Sequence, residues 1–264
     1  MENKGKSKII YASDLDRTLI FSKRFIDEHK TDGKYHCVET NNGTEISYIA
    51  DAVQESLKSL SNNIIFVPVT SRSFDEYSRV NLGVEPEYAI VSNGGILLHN
   101  GKVDEHWENY IKQHVNLKEA MEIVVDLEDE LESIAKVKVI DNCYIFCKVE
   151  PEFHTLYDQE ALYLISKYTD WEFTRQGNKV YIVPKAFSKQ VTLRYLWHRL
   201  GNPKIVASGD GEMDLGMLTL ADKAAIPEHS TLFKDGYVES ATKVSGGILS
   251  PIETMHIVND LANT

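Results

Sequence analysis

Two carboxylates, Asp14 and Asp16, stand directly after a short apolar run, and Asp210, Glu212 and Asp214 crowd the end of another. Carboxylates meeting in one crevice repel each other strongly unless a cation neutralises them. Ligands that are all oxygen select a hard ion, and Mg²⁺ in particular keeps several waters and is shared with substrate phosphate. A carboxylate held near such an ion can attack phosphorus and form an aspartyl-phosphate that water then hydrolyses. A second carboxylate two residues on can protonate the leaving alcohol and later activate the water. The equatorial oxygens of a transferring phosphoryl group also need cationic and hydrogen-bonding contacts, which Thr70 and one lysine would supply.

Such groups need a frame that brings distant segments together. Lys8 to Ser13, Ile64 to Val69, Ala89 to Val91 and Lys204 to Ser208 are short apolar runs of the kind that form buried parallel strands. Each ends at a polar cluster: Asp14-Leu15-Asp16-Arg17-Thr18, Thr70-Ser71-Arg72, Ser92-Asn93-Gly94-Gly95, and Gly209-Asp210-Gly211-Glu212-Met213-Asp214. Ligands of open α/β sheets bind outside the carboxyl ends of the strands, so parallel neighbours would gather these clusters at one crevice. Tyr35 to Thr40 and Thr44 to Ile49 flank Asn41-Asn42-Gly43 and read as a hairpin. Helical spacing follows from Ile49 to Leu60 and again from Val191 to Leu200.

The middle of the chain has another character. Leu117 to Ile134 and Phe153 to Tyr168 read as helices. Val137 to Val149 reads as a strand or hairpin turning at Asp141-Asn142, and Trp171 to Thr174 and Lys179 to Val183 as strands around Gly177-Asn178. The expected fold is α/β: a doubly wound, Rossmann-like parallel-sheet core over residues 1–95 and 185–264, with an α+β cap domain inserted at 96–184. Further core material is expected at Ala224 and Ile226 and over Val238 to Thr242.

Taken in order, Asp14-Leu15-Asp16-Arg17-Thr18, Thr70, Lys189 before a helix, and Gly209-Asp210-Gly211-Glu212-Met213-Asp214 resemble the four motifs of the haloacid dehalogenase-like superfamily. An insertion between the second and third motifs, preceded by Ser92-Asn93-Gly94-Gly95, resembles its α/β-capped type IIB branch of Cof-like and sucrose-phosphate-phosphatase-like enzymes. The resemblance implies that Asp14 is the nucleophile and Asp16 the general acid and base, with Thr70 and Lys189 binding the transferring phosphate. It implies Mg²⁺ held by the Asp14 carboxylate, the Asp16 backbone carbonyl and Asp210, with Asp214 supporting directly or through water. Ser71, Arg72 and Asn93 join Thr70 and Lys189 as expected substrate contacts, although Arg72 could equally form a surface salt bridge. Lys185, four residues before Lys189, is the alternative phosphate contact. Two residues depart from the pattern. Arg17 stands where this branch usually has Gly, and Met213 where many relatives have Asn, which would loosen the surroundings of the metal.

The reaction so implied is Mg²⁺-dependent hydrolysis of a small phosphorylated metabolite, a sugar phosphate being the leading class. A phosphomutase of the same fold and a non-catalytic phospho-ligand-binding regulatory protein are the alternatives. A net charge of −12 argues against a general nucleic-acid partner, because phosphate backbones are held by clustered Lys and Arg. No apolar run is long enough to span a bilayer, and the polar, basic start of the chain is unlike a secretory signal, so a cytoplasmic location is expected. Cys37, Cys143 and Cys147 lack metal-ligand spacing and read as reduced thiols.

Overall fold

The structure, a computed structural model, describes residues 8–29, 33–131, 135–235, 238 and 241–262. Along the chain run β1 (Ile9–Ser13), β2 (Phe21–Ser22), α1 (Lys23–His29), β3 (Tyr35–Asn41), β4 (Thr44–Ala50), α2 (Asp51–Lys58) and β5 (Ile64–Pro68). Then come α3 (Phe74–Ser78), β6 (Tyr88–Val91), β7 (Ile96–His99), β8 (Lys102–Val103), α4 (Glu105–His114), α5 (Leu117–Leu131), β9 (Ala135–Ile140) and β10 (Tyr144–Val149). The remainder is α6 (His154–Ile165), β11 (Trp171–Gln176), β12 (Lys179–Pro184), α7 (Lys189–Arg199), β13 (Lys204–Ser208), α8 (Leu215–Leu220), β14 (Lys223–Pro227), α9 (Leu232–Asp235), β15 (Ala241–Val244) and α10 (Ser250–Ala262). Of the expected segments, residues 132–134 and 239–240 lie outside the described residues.

The chain divides into two compact units, Met1–Val103 with Lys189–Thr264, and Asp104–Ser188. The first is built on a five-stranded parallel sheet in the order β15-β14-β13-β1-β5. Successive side chains of a strand point to opposite faces. On one face of β1, Ile9 and Tyr11 pack with Val53 and Leu57 of α2 and with Met255 and Val258 of α10. Ile10 and Ala12 on the other face are equally buried. A strand covered on both sides has no polar alternation, which is why Ile9 to Ala12 is a continuous apolar run. β6 joins the edge of β5 through a parallel bridge, Val69 to Ile90, and pairs antiparallel with β7.

The boundaries expected at residues 95/96 and 184/185 need correction. Ile96–His99 pairs residue for residue with Tyr88–Val91, and Lys102–Val103 pairs back on it, so this β6-β7-β8 meander stays with the first unit. The chain returns to that unit only at Lys189.

The second unit is a four-stranded antiparallel sheet, β11-β12-β10-β9, with α5 and α6 packed on it. Asp141 and Asn142, in the three-residue connection between β9 and β10, both adopt positive φ, 49° and 56°, a backbone that Asp and Asn tolerate better than most residues.

Candidate active site

Strand order and register assemble the site within the first unit. Ser13 pairs with Ser208 on β13 and with Pro68 on β5, so all three strands end at one level. The next residue, Asp14, donates its backbone N–H to the Ser208 carbonyl at 2.9 Å. Beyond β5, Thr70 donates its N–H to Ile90 O on β6 at 2.8 Å, and its own carbonyl accepts the Asn93 N–H at 3.0 Å. Residues from β1, β5, β6 and β13 thus share one end of the sheet.

At that end lies a group of three buried carboxylates. Asp14, Asp210 and Asp214 each offer an oxygen within 4.8 Å of the others, and they are 5%, 5% and 2% exposed. Lys189, the first residue of α7, reaches into the group. Its Nζ donates to Asp14 Oδ1 at 2.6 Å and to Asp214 Oδ1 at 2.7 Å. Thr18 Oγ1 donates to the other Asp14 oxygen at 3.2 Å. Asp214 folds back on its own loop, where Oδ2 accepts the N–H groups of Asp210 and Gly211 at 3.1 Å each.

One lysine does not balance three acids. Burial, reinforced by the charge of Asp214 and opposed by Lys189, holds the Asp14 carboxyl well above the usual carboxylate range. Burial and Asp214 likewise push Asp210 up to about 7, against the pull of Arg17 and Lys189. Burial would lower Lys189, but Asp14 and Asp214 together overcome it and raise its pKa. Carboxyls that resist ionisation in an all-oxygen cage are what a hard divalent cation would relieve, so the donor set fits Mg²⁺.

Asp16 has a different environment. Its side chain is 52% exposed and lies outside this trio of carboxylates. Arg72 grips both oxygens in a side-on fork, Nε to Oδ2 at 2.8 Å and Nη2 to Oδ1 at 2.9 Å. Arg72 in turn donates Nη1 to Glu39 Oε2 at 2.7 Å, and Glu39 is a buried acid on β3. Between Asp14 and Thr18, Arg17 has φ of 62°, in the left-handed region that glycine tolerates best. Its Nε lies 3.3 Å from Asp210 Oδ2, its Nη2 donates to His229 O at 3.4 Å, and its guanidinium sits 5.6 Å from the centre of the Phe25 ring. His229 returns the contact, Nε2 donating to Arg17 O at 2.7 Å.

Of the other residues singled out in the sequence, Thr70 is buried and its Oγ1 accepts the Arg72 N–H at 3.1 Å. Ser71 lies between them, half-buried. Asn93 is buried with φ of 56°, and its Oδ1 has no hydrogen-bond partner. Lys185 is turned elsewhere: its Nζ donates to Thr169 O at 2.7 Å within the second unit. Lys189 is the lysine that touches Asp14. Arg72 is no surface pair, its side chain being 11% exposed. Glu39 and His229 escape a reading of the sequence, because a lone Glu in a strand and a lone His in a loop carry no spacing signal.

The family model for sucrose-6F-phosphate phosphohydrolase matches residues 7–228. Among solved structures, the sucrose-phosphatase of Synechocystis sp. PCC6803, in complex with sucrose and phosphate, superposes with a TM-score of 0.71 at 17% identity, covering 96% of this chain and 98% of that one. BT1666 from Bacteroides thetaiotaomicron, described among phosphatases of the haloalkanoate (HAD) superfamily, gives 0.63 at 13% identity over 99% and 98% of the two chains. The HAD subclass IIB sugar phosphatase BT4131 gives 0.63 at 12% identity over 97% and 100%. No curated protein matches the sequence.

Proposed function

Since the chain belongs to the sucrose-6F-phosphate phosphohydrolase family of haloacid dehalogenase-like phosphatases, we propose that it is a Mg²⁺-dependent hydrolase of a small sugar phosphate acting through Asp14. The observation that supports this best is the buried group of Asp14, Asp210 and Asp214, in which Lys189 bridges Asp14 and Asp214. A buried carboxylate with one oxygen on a lysine, beside two further acids, is built for a nucleophile at a metal-assisted phosphoryl-transfer centre. The sugar class is supported by the sucrose and phosphate bound in the Synechocystis enzyme and by the sugar phosphatase among the structural neighbours.

In this reading an Asp14 oxygen attacks phosphorus and forms the P–O bond of an aspartyl-phosphate as the ester P–O bond breaks. Asp16 gives its proton to the departing alcohol oxygen. Asp16 then takes a proton from water, which attacks phosphorus, breaks the bond to Asp14 and releases inorganic phosphate. Asp14, Asp210, Asp214 and the Asp16 carbonyl would hold Mg²⁺, which when bound supplies charge neutralisation for the phosphoryl oxygens. Lys189 and Thr70 orient the phosphoryl group by hydrogen bonds, with Asn93 and Ser71 at the same strand ends.

A panel of sugar phosphates with Mg²⁺, reading released phosphate, tests the proposal. Wild type should turn over at least one, and Asp14→Asn should lose roughly 10³-fold or more in kcat, as loss of a nucleophile does. Equal rates in the two proteins would refute the assignment.

A further inference from the structure

Glu39 is an acid buried inside a three-stranded sheet, β2-β4-β3, and the reaction as written does not use it. It sits where the pairing of β3 with β4 slips, between Cys37 and Thr40. Such bulges re-aim a side chain. A carboxylate removed from water is costly unless paired and hydrogen-bonded, and Glu39 is both. Its Oε2 accepts Ser47 Oγ at 2.8 Å and Arg72 Nη1 at 2.7 Å, and Arg79 Nη2 lies 3.6 Å from Oε1. Ser47 closes the ring by accepting Arg72 Nη2 at 3.0 Å.

The guanidinium of Arg72 is thereby fixed from behind by Glu39 and Ser47, and its remaining edge grips Asp16 through both oxygens. An aspartate that is half exposed would otherwise sample several rotamers. A two-point fork on an anchored arginine leaves it one orientation. We infer that Glu39 is a positioning residue: through Arg72 it holds the Asp16 carboxylate in the orientation from which the leaving oxygen is protonated. This rests on the hydrolase reading above, in which Asp16 donates the proton while the ester bond breaks. Glu39 itself touches no reacting atom.

Proton donation matters most when the leaving group is a poor one. An alkyl phosphate must leave as an alcohol, whereas p-nitrophenolate departs without help. Glu39→Gln keeps the volume and removes the charge. We expect its kcat/KM for an alkyl sugar phosphate, which reports the steps through departure of the alcohol, to fall by about tenfold to a hundredfold, part of the roughly 10²–10⁴-fold that a positioned general acid contributes. We expect kcat/KM for p-nitrophenyl phosphate to change by less than about twofold, while kcat for both esters also carries the shared hydrolysis of the aspartyl-phosphate, in which Asp16 is the base. Arg72→Lys, which keeps the charge but loses the fork, should show the same bias toward the alkyl ester. A fall of equal size in kcat/KM on both esters, or no change in either, would overturn the inference while leaving the hydrolase reading intact. Failure of both variants to melt cooperatively would also overturn it, in favour of a purely structural acid. A wild-type chain inert toward every phosphoester would remove the parent reading and this one together.

Discussion

Arg17 carries a local backbone cost. A side chain held at φ of 62° is strained by about 1–2 kcal/mol relative to glycine. Contacts with Asp210, His229 and Phe25 offset part of that. Comparing Arg17→Ala with Arg17→Gly isolates the backbone contribution, since both lose the same contacts. We expect the glycine variant to be the more stable by about 1 kcal/mol in urea unfolding, the strain relief outweighing glycine's greater freedom in the unfolded chain. Its partner His229 gives a second expectation. Burial, helped by the charge of Arg17 and opposed by the hydrogen bond to Arg17 O, lowers the His229 pKa to about 4. Its Nδ1 accepts the Gly247 N–H at 3.1 Å, which also requires the neutral ring. The unfolded chain takes up this proton near the usual value of about 6.5, the folded chain only near 4, so stability is lost as pH falls through that window. In His229→Gln, unfolding curves collected in Mg²⁺ should show a weaker pH dependence there. Sequence alone marks Arg17 as a departure from a family pattern but says nothing of His229, which is identified only by what the fold brings against it.

At the scale of elements, Asp210 and Asp214 depend on how closely the chain turns after β13. A Cβ on Gly209 would come within 2.5 Å of Asp214 Cβ and 2.8 Å of its Oδ2, closer than any side chain tolerates. Gly209→Ala should therefore displace Asp214. Expected are a lower melting temperature and a Mg²⁺ affinity reduced by about 10–100-fold, read by titration. The strands that matter here were legible because each is apolar throughout and ends at a polar cluster. Lys204–Ser208 matches its expected bounds, and Ile64–Pro68 differs by one residue. Short elements without such contrast, β2 and β8 among them, were not. Glu39 was illegible because its burial comes from a slip in strand pairing, which no local pattern announces. Ile96 fell on the wrong side of the expected domain boundary because antiparallel pairing with β6, a tertiary fact, decides where it belongs.

For the whole molecule, net charge and site charge act in the same direction. The chain carries −12, and its buried acids outnumber the lysine among them. Mg²⁺ should bind the folded chain and not the unfolded one, adding about 2.7 kcal/mol at a hundredfold excess over Kd. Because Asp14 and Asp210 hold their protons unusually well, metal must displace them. The rise in melting temperature with Mg²⁺ should therefore be larger above pH about 7 than near pH 5, and scanning fluorimetry at both values checks it. The order of motifs along the chain was enough to anticipate that Asp14, Lys189, Asp210 and Asp214 meet, since parallel strands that end together bring their following residues to one end of the sheet. The central claim is that Asp14 takes the phosphoryl group, and trapping that bond tests it most directly. Wild type, Mg²⁺ and a ³²P-labelled sugar phosphate, quenched in acid during turnover and digested, should yield label on the peptide containing Asp14, removable by hydroxylamine and missing in Asp14→Asn. Steady release of phosphate with no label on that peptide, or label unchanged in Asp14→Asn, would contradict it.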